Sequence, residues 1–153
     1  MPTLRPMTEP EYEQYNTTAW EEYAQDRARN SGTSIEHERE VVATQRASLQ
    51  AQGMRTPGHH YWHVVDDAGA VVGALWVHVA LGSDRAFIYD IAIDADQRGK
   101  GLGKATLALL EAWARGQGVT SIALNVFGDN TIAQTLYRQQ GYQVDALQMS
   151  KRL

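Results

Sequence analysis

Apolar residues in the first third of the chain recur at helical spacing, which predicts two amphipathic helices after a short first strand at 3–7. Each helix follows a Ser/Thr-x-x-Glu sequence of the capping-box type, at residues 8–11 for the first and 33–36 for the second. Glycine commonly terminates helices, so we expect the first helix to end near Gly32 and the second before Gly53.

The middle of the chain alternates β-type runs with turn sequences, a pattern that predicts an antiparallel meander. The expected strands cover residues 60–66, 71–81 and 86–93, and the turns between them lie at 67–69 and 82–84.

Helical and β-type segments alternate in the last third of the chain. An apolar stripe predicts a helix at about 101–116, followed by a strand at 120–127, a short helix closed by Gly141, and two last strands at 142–144 and 147–152. A strand, helix and strand in succession require a parallel pair. We therefore predict an α/β (α+β) fold with a mixed, mostly antiparallel sheet of about six to seven strands and about four helices. A chain of 153 residues without internal repeats is expected to form a single domain, 1–153.

Composition and charge restrict the classes of partner and of catalytic or metal site that are expected. The net charge is −4, which disfavours general attraction to nucleic acid or to anionic membranes. No cysteine is present, so disulfides, thiolate metal sites and a cysteine nucleophile are excluded. The N-terminus has no apolar signal region, and the most apolar run, 71–81, is too short to span a bilayer. A cytoplasmic location is therefore expected.

A basic, glycine-rich turn joins the strand at 86–93 to the following helix. Glycine lets the backbone come close to a ligand, and amides at a helix N-terminus favour an anion, so this turn predicts a phosphate site. The spacing does not fit a Walker loop or a dinucleotide fingerprint. It fits Arg/Gln-x-x-Gly-x-Gly/Ala, with Arg98, Gly101 and Gly103 in the defined positions. The residues of the turn are Arg98, Gly99, Lys100, Gly101, Leu102, Gly103 and Lys104.

A second segment lies one helix and one strand further on. It has the form Asn130-x-x-Ala-x-x-Leu-Tyr137-x-x-x-Gly-Tyr142. Together with the glycine-rich turn it resembles the two coenzyme-binding segments of the GNAT family of acetyl-CoA-dependent N-acetyltransferases. The resemblance covers roughly residues 86–144, and the order of the predicted elements is similar to the GNAT fold throughout.

The resemblance implies a role for each of these positions. The backbone of Ile91, Ala92 and Ile93 would bind the pantetheine arm of the coenzyme, and the amides of 98–104 would hold its pyrophosphate. Asn130 would touch the coenzyme arm. Its alternative role is to cap the last helix, a role that Asp129 could take instead. Tyr137 would lie beside the thioester sulfur and act as the acid. Without a cysteine, direct transfer of acetyl to an amine in a ternary complex is the simplest mechanism.

The general base is less clearly marked. Some relatives have a glutamate at the position of Asn125, and others have an acid at the position of Phe87 or Tyr89, where this chain has no carboxylate. Asp90 is the one carboxylate within that strand, so it is the predicted base. His78 and a water relay are the alternatives, and Asn125 is then a residue that orients the substrate.

The remaining candidates concern the acceptor. Aromatic side chains that would line its pocket are Trp20 and Tyr23 in the first third and Phe127 after the strand at 120–127. His59 and His63 share one strand face while His60 points away, but no carboxylate completes a metal site, so no metal is expected.

Three functions stay open on these residues. The leading interpretation is acetyl transfer from acetyl-CoA to a small-molecule or peptide amine. A non-catalytic acyl-CoA sensor and a nucleotide-phosphate-binding protein are the alternatives. The resemblance fixes neither the acceptor nor the oligomeric state, for which a homodimer is one option by analogy.

Overall fold

The computed structural model describes all residues, 1–153, as one sheet with four helices. The bounds of the elements are β1 Thr3–Pro6, α1 Glu9–Ser31, α2 Ile35–Leu49, β2 His59–Val65, β3 Val71–Val79, β4 Arg85–Ile93, α3 Leu102–Gly116, β5 Ser121–Leu124 and α4 Thr131–Gln139. None of the helices combines the length and apolar character that a membrane span requires.

The sheet has the strand order β1-β2-β3-β4-β5. The first three pairs are antiparallel, and β4 and β5 are parallel because α3 carries the chain back across the sheet between them. The mixed, mostly antiparallel sheet and the four helices predicted from the sequence are confirmed. The sheet has five strands, fewer than the predicted six to seven.

Residues 143–153 account for the difference in strand number. The predicted strands at 142–144 and 147–152 are wrong, because no backbone group of 143–153 hydrogen-bonds to another backbone group. The segment alternates apolar residues with polar ones, as a strand would, but it lies against no ladder partner. Its apolar side chains are consequently exposed, among them Leu147 at 75% and Met149 at 86%.

Helix caps explain where α1 and α2 begin. Thr8 accepts from the amide of Glu11, and the Glu11 side chain accepts from the amide of Thr8, so the predicted capping box is confirmed. The second predicted box is shifted by one residue. Ser34, not Thr33, caps α2 by accepting from the amide of His37. Gly32 ends α1 in the left-handed conformation.

The sheet has a separate hydrophobic core on each face. α3 covers one face, where the buried residues are Trp62, Leu75, Val77, Ala86, Ile88, Leu107, Leu110, Ala114 and Val119. α1 and α2 cover the other, where they are Met7, Tyr12, Trp20, Ala24, Val42, Tyr61, Ala74 and Trp76. Alternate residues of each strand thus serve different cores.

A buried polar network ties α1, the end of α2 and β2 together. Gln50 donates to Asn16 and to the Tyr61 hydroxyl at 3.0 and 2.7 Å, and it accepts from Asn16 and Trp20 at 2.8 and 3.0 Å. Every hydrogen-bonding atom of the Gln50 amide therefore has a partner. The network fixes α1 and the end of α2 on β2.

Candidate active site

A β-bulge in β4 determines where Asp90 points. Trp76 of β3 is paired with Asp90 and the next residue, Val77, with Ile88, so Tyr89 is the extra residue. Tyr89 stacks on Trp76 with ring centroids 4.8 Å apart. Tyr89 and Asp90 therefore both lie on the face covered by α1, although they are consecutive in the strand.

The sheet opens immediately beyond this bulge. The β4–β5 ladder runs from Arg85↔Ser121 to Ile88↔Leu124 and ends there. Residues 89–93 of β4 pair with β3 alone, which leaves the other edge of their backbone free of a strand partner. This opening contains Ile91, Ala92 and Ile93, the residues for which the sequence predicts backbone contacts to the coenzyme.

Asp90 is a half-buried carboxylate held by α1. The hydroxyl of Tyr15 donates to Asp90 Oδ2 at 2.6 Å. Burial raises the pKa of Asp90 from 3.8 to about 6, the bond from Tyr15 acts in the opposite direction, and the charges of Glu22 and Asp26 raise it further. A carboxylate with this pKa is ionised at neutral pH and is still basic enough to accept a proton.

Tyr137 extends from α4 on the opposite side of the opening. Its ring packs against the core under α3, 5.7 Å from the ring of Tyr142. Burial, with a contribution from the negative charge of Asp90, raises the pKa of Tyr137 to about 12. The phenol is therefore protonated at neutral pH, as a proton donor must be. The influence of Asp90 on its pKa indicates that the two side chains are near one another.

The turn before α3 presents a row of unpaired amides. Gly99 and Gly101 adopt φ values of 78° and 77°, in the left-handed region that favours glycine. Gly101 is the N-cap of α3, and no side chain caps this helix. The amides of residues 99–104 donate to no backbone or side-chain acceptor in the chain. A helix N-terminus of this kind attracts a phosphate.

Arg98, Lys100 and Gly103 of the turn have different environments. Arg98 donates to the carbonyl of Ile93 at 3.0 Å and so fastens the turn to the end of β4. Lys100 bonds to Gln97 within the turn. Gly103 contacts α4, since a Cβ there would lie 3.0 Å from Leu136 Cδ2. Gly103 thus also allows a close approach between helices α3 and α4.

Asn130 is the N-cap of α4. Its Oδ1 accepts from the amide of Ala133 at 3.1 Å, so of the two residues considered for the cap it is Asn130, not Asp129, that takes this role. Asp129 instead binds α1, where it accepts from the Arg29 guanidinium and, at 3.0 Å, from Asn30. The guanidinium lowers the pKa of this carboxyl. The Nδ2 of Asn130 is the part of the side chain left for the coenzyme.

The predicted acceptor residues fall into two groups. Tyr23 and Phe127 face each other across the opening with ring centroids 5.9 Å apart. A pocket of about 200 Å³ adjoins them and is lined by Asp26, Arg29, Phe127, Asp129 and Asn130. Trp20 is only 7% exposed and donates to Gln50, so its burial does not support the predicted contact with an acceptor. Asn125 is exposed just after β5 and therefore borders the opening.

His59 and His78 pack together where β2 begins and β3 ends, beside Tyr89. The rings of His59 and His78 lie 4.3 Å apart, and Trp76 donates to Nδ1 of His59 at 2.9 Å. Burial lowers the pKa of His59 to about 4, so this ring is neutral with its proton on Nε2. His60 lies on the opposite face against Trp113. No three His, Cys, Asp or Glu side chains are grouped as metal ligands.

Sequence reasoning missed Tyr15 and Arg29 as residues of the site. Both lie on α1, far in sequence from Asp90 and Asp129, and only the docking of α1 brings the pairs together. In the sequence, Tyr15 is one of several aromatic residues that recur at helical spacing in the first predicted helix. Nothing in the local pattern distinguishes it from Tyr12, which is a core residue.

Comparison with known proteins identifies the family and the fold. The model of the Acetyltransferase (GNAT) family matches residues 3–142. The chain is 35% identical to the N-acetyltransferase YycN of Bacillus subtilis over 98% of this chain and 97% of YycN. It is 32% identical to the N-acetyltransferase YdgE of the same organism, over 99% and 98% of the two chains.

Solved structures show the same fold. The crystal structure of YycN superposes with a TM-score of 0.93, covering 100% of this chain and 99% of YycN. AAC(6')-Iy, solved in complex with a CoA-containing bisubstrate analogue, has a TM-score of 0.57 at 16% identity and shares the fold alone. The family match over nearly the whole chain and the similarity to YycN together establish that this chain belongs to the GNAT family of acetyltransferases.

Proposed function

We propose that the chain transfers an acetyl group from acetyl-CoA directly to an amine, with Asp90 as the general base and Tyr137 as the general acid. The observation that carries the proposal is the placement of these two side chains on opposite sides of the β4–β5 opening. The pKa of each suits its role, since Asp90 is ionised and Tyr137 is protonated near neutral pH.

The opening has features that suit the coenzyme. The free backbone edge at 91–93 can hydrogen-bond the amides of a pantetheine arm, and the unpaired amides of 99–104 can hold a pyrophosphate. The side chain of Lys104 has no partner within the chain, so its charge is available to the same anion. Acetyl-CoA, when bound, supplies an activated thioester carbonyl.

The proton transfers follow from the two residues. Asp90 accepts a proton from the acceptor ammonium, whose pKa is about 10.4 when it is an unperturbed alkylamine. The neutral amine then attacks the carbonyl carbon and forms the N–C bond as the C–S bond breaks, and the Tyr137 hydroxyl protonates the departing sulfur. The acylated nitrogen loses its second proton to solvent, and solvent returns a proton to Tyr137, so that one proton is released in each turnover. Each of the two proton transfers uses one side chain, and each is expected to raise the rate by about 10²-fold or somewhat less.

A cationic amine is the acceptor that the surroundings favour. Glu22 and Asp26 of α1 are close enough to Asp90 to raise its pKa. The carboxylates of Asp26 and Asp129 outnumber the one cation, Arg29, that lines the adjoining pocket. Tyr23 and Phe127 add aromatic faces, which attract ammonium groups. A small-molecule amine or a peptide amine fits this chemistry, with Asn125 and His78 as further candidate contacts.

Release of free CoA in the presence of a panel of amines tests the proposal. We expect release of CoA from acetyl-CoA with at least one cationic amine, and none when the amine is left out. Tight binding of acetyl-CoA with no transfer to any amine would indicate an acyl-CoA sensor instead. Nucleoside triphosphates binding as tightly as acetyl-CoA would indicate the nucleotide-binding alternative.

A matched pair of glycine substitutions tests the phosphate cradle. Gly101 and Gly118 both adopt positive φ, at 77° and 76°, and a Cβ at either would meet no atom within 4 Å. Alanine should therefore strain both turns similarly, by about 1 kcal/mol. We expect Gly101→Ala to weaken acetyl-CoA binding at least tenfold in calorimetry, while Gly118→Ala binds as the wild type does. Equal affinities in the two variants would contradict the cradle.

A further inference from the structure

A short hydrogen bond joins α1 to β4 at the site. Tyr15 Oη donates to Asp90 Oδ2 at 2.6 Å, while Asp90 Oδ1 has no hydrogen-bond partner in the chain. The two oxygens of the proposed base are thus not equivalent. One is fixed by the protein, and the other is the oxygen that can accept a proton from a substrate.

We propose that Tyr15 is a positioning residue for the reaction proposed above, and that its hydroxyl fixes the Asp90 carboxylate with Oδ1 left to accept the proton from the amine. Asp90 alone has a freely rotating terminal torsion. A hydrogen bond to one oxygen restricts that torsion, which keeps the base in place between one turnover and the next.

The position of Tyr15 suits this role. Its ring packs against the core between α1 and the sheet, and the buried network around Gln50 holds the same stretch of α1. Burial and the negative charge of Asp90 raise the pKa of Tyr15 well above 10, so the phenol stays protonated and acts only as a donor. A tyrosine that cannot ionise keeps the bond throughout the working pH range.

None of the other groups that face Asp90 favours its ionised form. α1 contributes Glu22 and Asp26, whose negative charges raise the pKa of Asp90, and α4 contributes the neutral phenol of Tyr137. The neighbour from β3 is Trp76, which does not titrate. Tyr15 is the group that favours the carboxylate form. Loss of its hydroxyl should therefore raise the pH at which Asp90 ionises.

The test compares Tyr15→Phe with Tyr12→Phe. Tyr12 lies one turn earlier on α1, and its buried hydroxyl accepts from Asn16 without touching Asp90. The pH midpoint at which the Asp90 carboxyl group titrates is measured by carbon-13 NMR. The Asp90→Asn variant identifies its resonance. In parallel, kcat/KM for acetyl transfer is measured from pH 5.5 to 9. The ratio of variant to wild type cancels the titration of the acceptor amine.

We expect Tyr15→Phe to raise the Asp90 midpoint by about one pH unit, a tenfold change in proton affinity. The kcat/KM of this variant should then be below wild type at every pH, because the carboxylate is no longer held in place, and the deficit should be about fivefold larger at pH 6 than at pH 9, where Asp90 is ionised in both. Tyr12→Phe should leave the midpoint unchanged. A pure loss of packing would lower the rate by the same factor at every pH.

The outcomes separate this inference from the function on which it rests. No acetyl transfer by the wild type with any amine would overturn the proposed function. Acetyl transfer by the wild type, with an Asp90 midpoint that is the same in Tyr15→Phe or that moves equally in Tyr12→Phe, would overturn the role of Tyr15 alone.

Discussion

The substitution Asp90→Asn should stabilise the folded protein at alkaline pH while it removes the proposed base. Burial raises the pKa of Asp90 from 3.8 to about 6, so the folded state binds this proton more tightly than the unfolded state does. The ionised side chain therefore costs stability. The cost is absent below pH 3.8, grows as the pH rises, and is complete above pH 6.

The size of the effect follows from the two pKa values. At 1.36 kcal/mol per pKa unit, the rise corresponds to about 3 kcal/mol of unfolding free energy lost at pH 8, and to about half of that at pH 5. Asparagine is neutral at every pH, and its side-chain oxygen can still accept from Tyr15. We therefore expect Asp90→Asn to melt about 6–12 °C above wild type at pH 8, with a smaller gain at pH 5.

Urea denaturation at pH 5, 6.5 and 8 measures this pH dependence. Asp145→Asn is the matched control, because it makes the same change at an exposed carboxylate in the segment without backbone hydrogen bonds. Wild-type stability equal to that of Asp90→Asn at pH 8 would refute the reasoning, as would a gain that does not change with pH. In the same variant, kcat/KM should fall about 10²-fold, the low end for general-base catalysis.

Three further substitutions test other parts of the structure. Tyr137→Phe should lower the single-turnover rate about 10- to 100-fold with little change in the Kd for acetyl-CoA, and a wild-type rate would leave Tyr137 a packing residue. Gln50→Leu should cost about 3 kcal/mol in urea denaturation because it strips the partners from Asn16, Trp20 and Tyr61, whereas Gln52→Leu, at an exposed position, should cost little. Tyr142→Phe should raise stability by about 1 kcal/mol, since the buried Tyr142 hydroxyl has no hydrogen-bond partner in the chain, and a loss of stability would show that the hydroxyl is bonded.

The elements that the sequence predicted well are those with strong local signals. The capping box at 8–11, the meander and the amphipathic α3 each depend on residues close together in the chain, and each was found within a few residues of its predicted bounds. The glycine-rich turn was located for the same reason, since positive φ at Gly99 and Gly101 is a local property.

The features that the sequence did not reveal depend on tertiary contacts. The bulge at Tyr89 places Asp90 on the α1 face, and strict alternation along β4 gives no sign of it. Asp129 contacts α1 while Asn130 caps α4. Local spacing alone cannot decide which of these two neighbouring residues is the cap. The strand-like pattern of 143–153 predicted two strands because β propensity does not say whether a ladder partner is in reach.

The end of the β4–β5 ladder is what allows the proposed base and acid to act together. Asp90 belongs to the face of the sheet under α1, whereas Tyr137 packs with the core on the opposite face, under α3. In a continuous sheet, β5 would continue beside residues 89–93 and stand between the two side chains. Because pairing stops at Ile88 and Leu124, no strand separates the two faces at the opening. Burial raises the pKa of Tyr137, and the negative charge of Asp90 adds to this effect. A thioester bound along the free edge of β4 would thus lie between a proton acceptor on one face and a proton donor on the other, which is the arrangement that direct transfer to an amine requires.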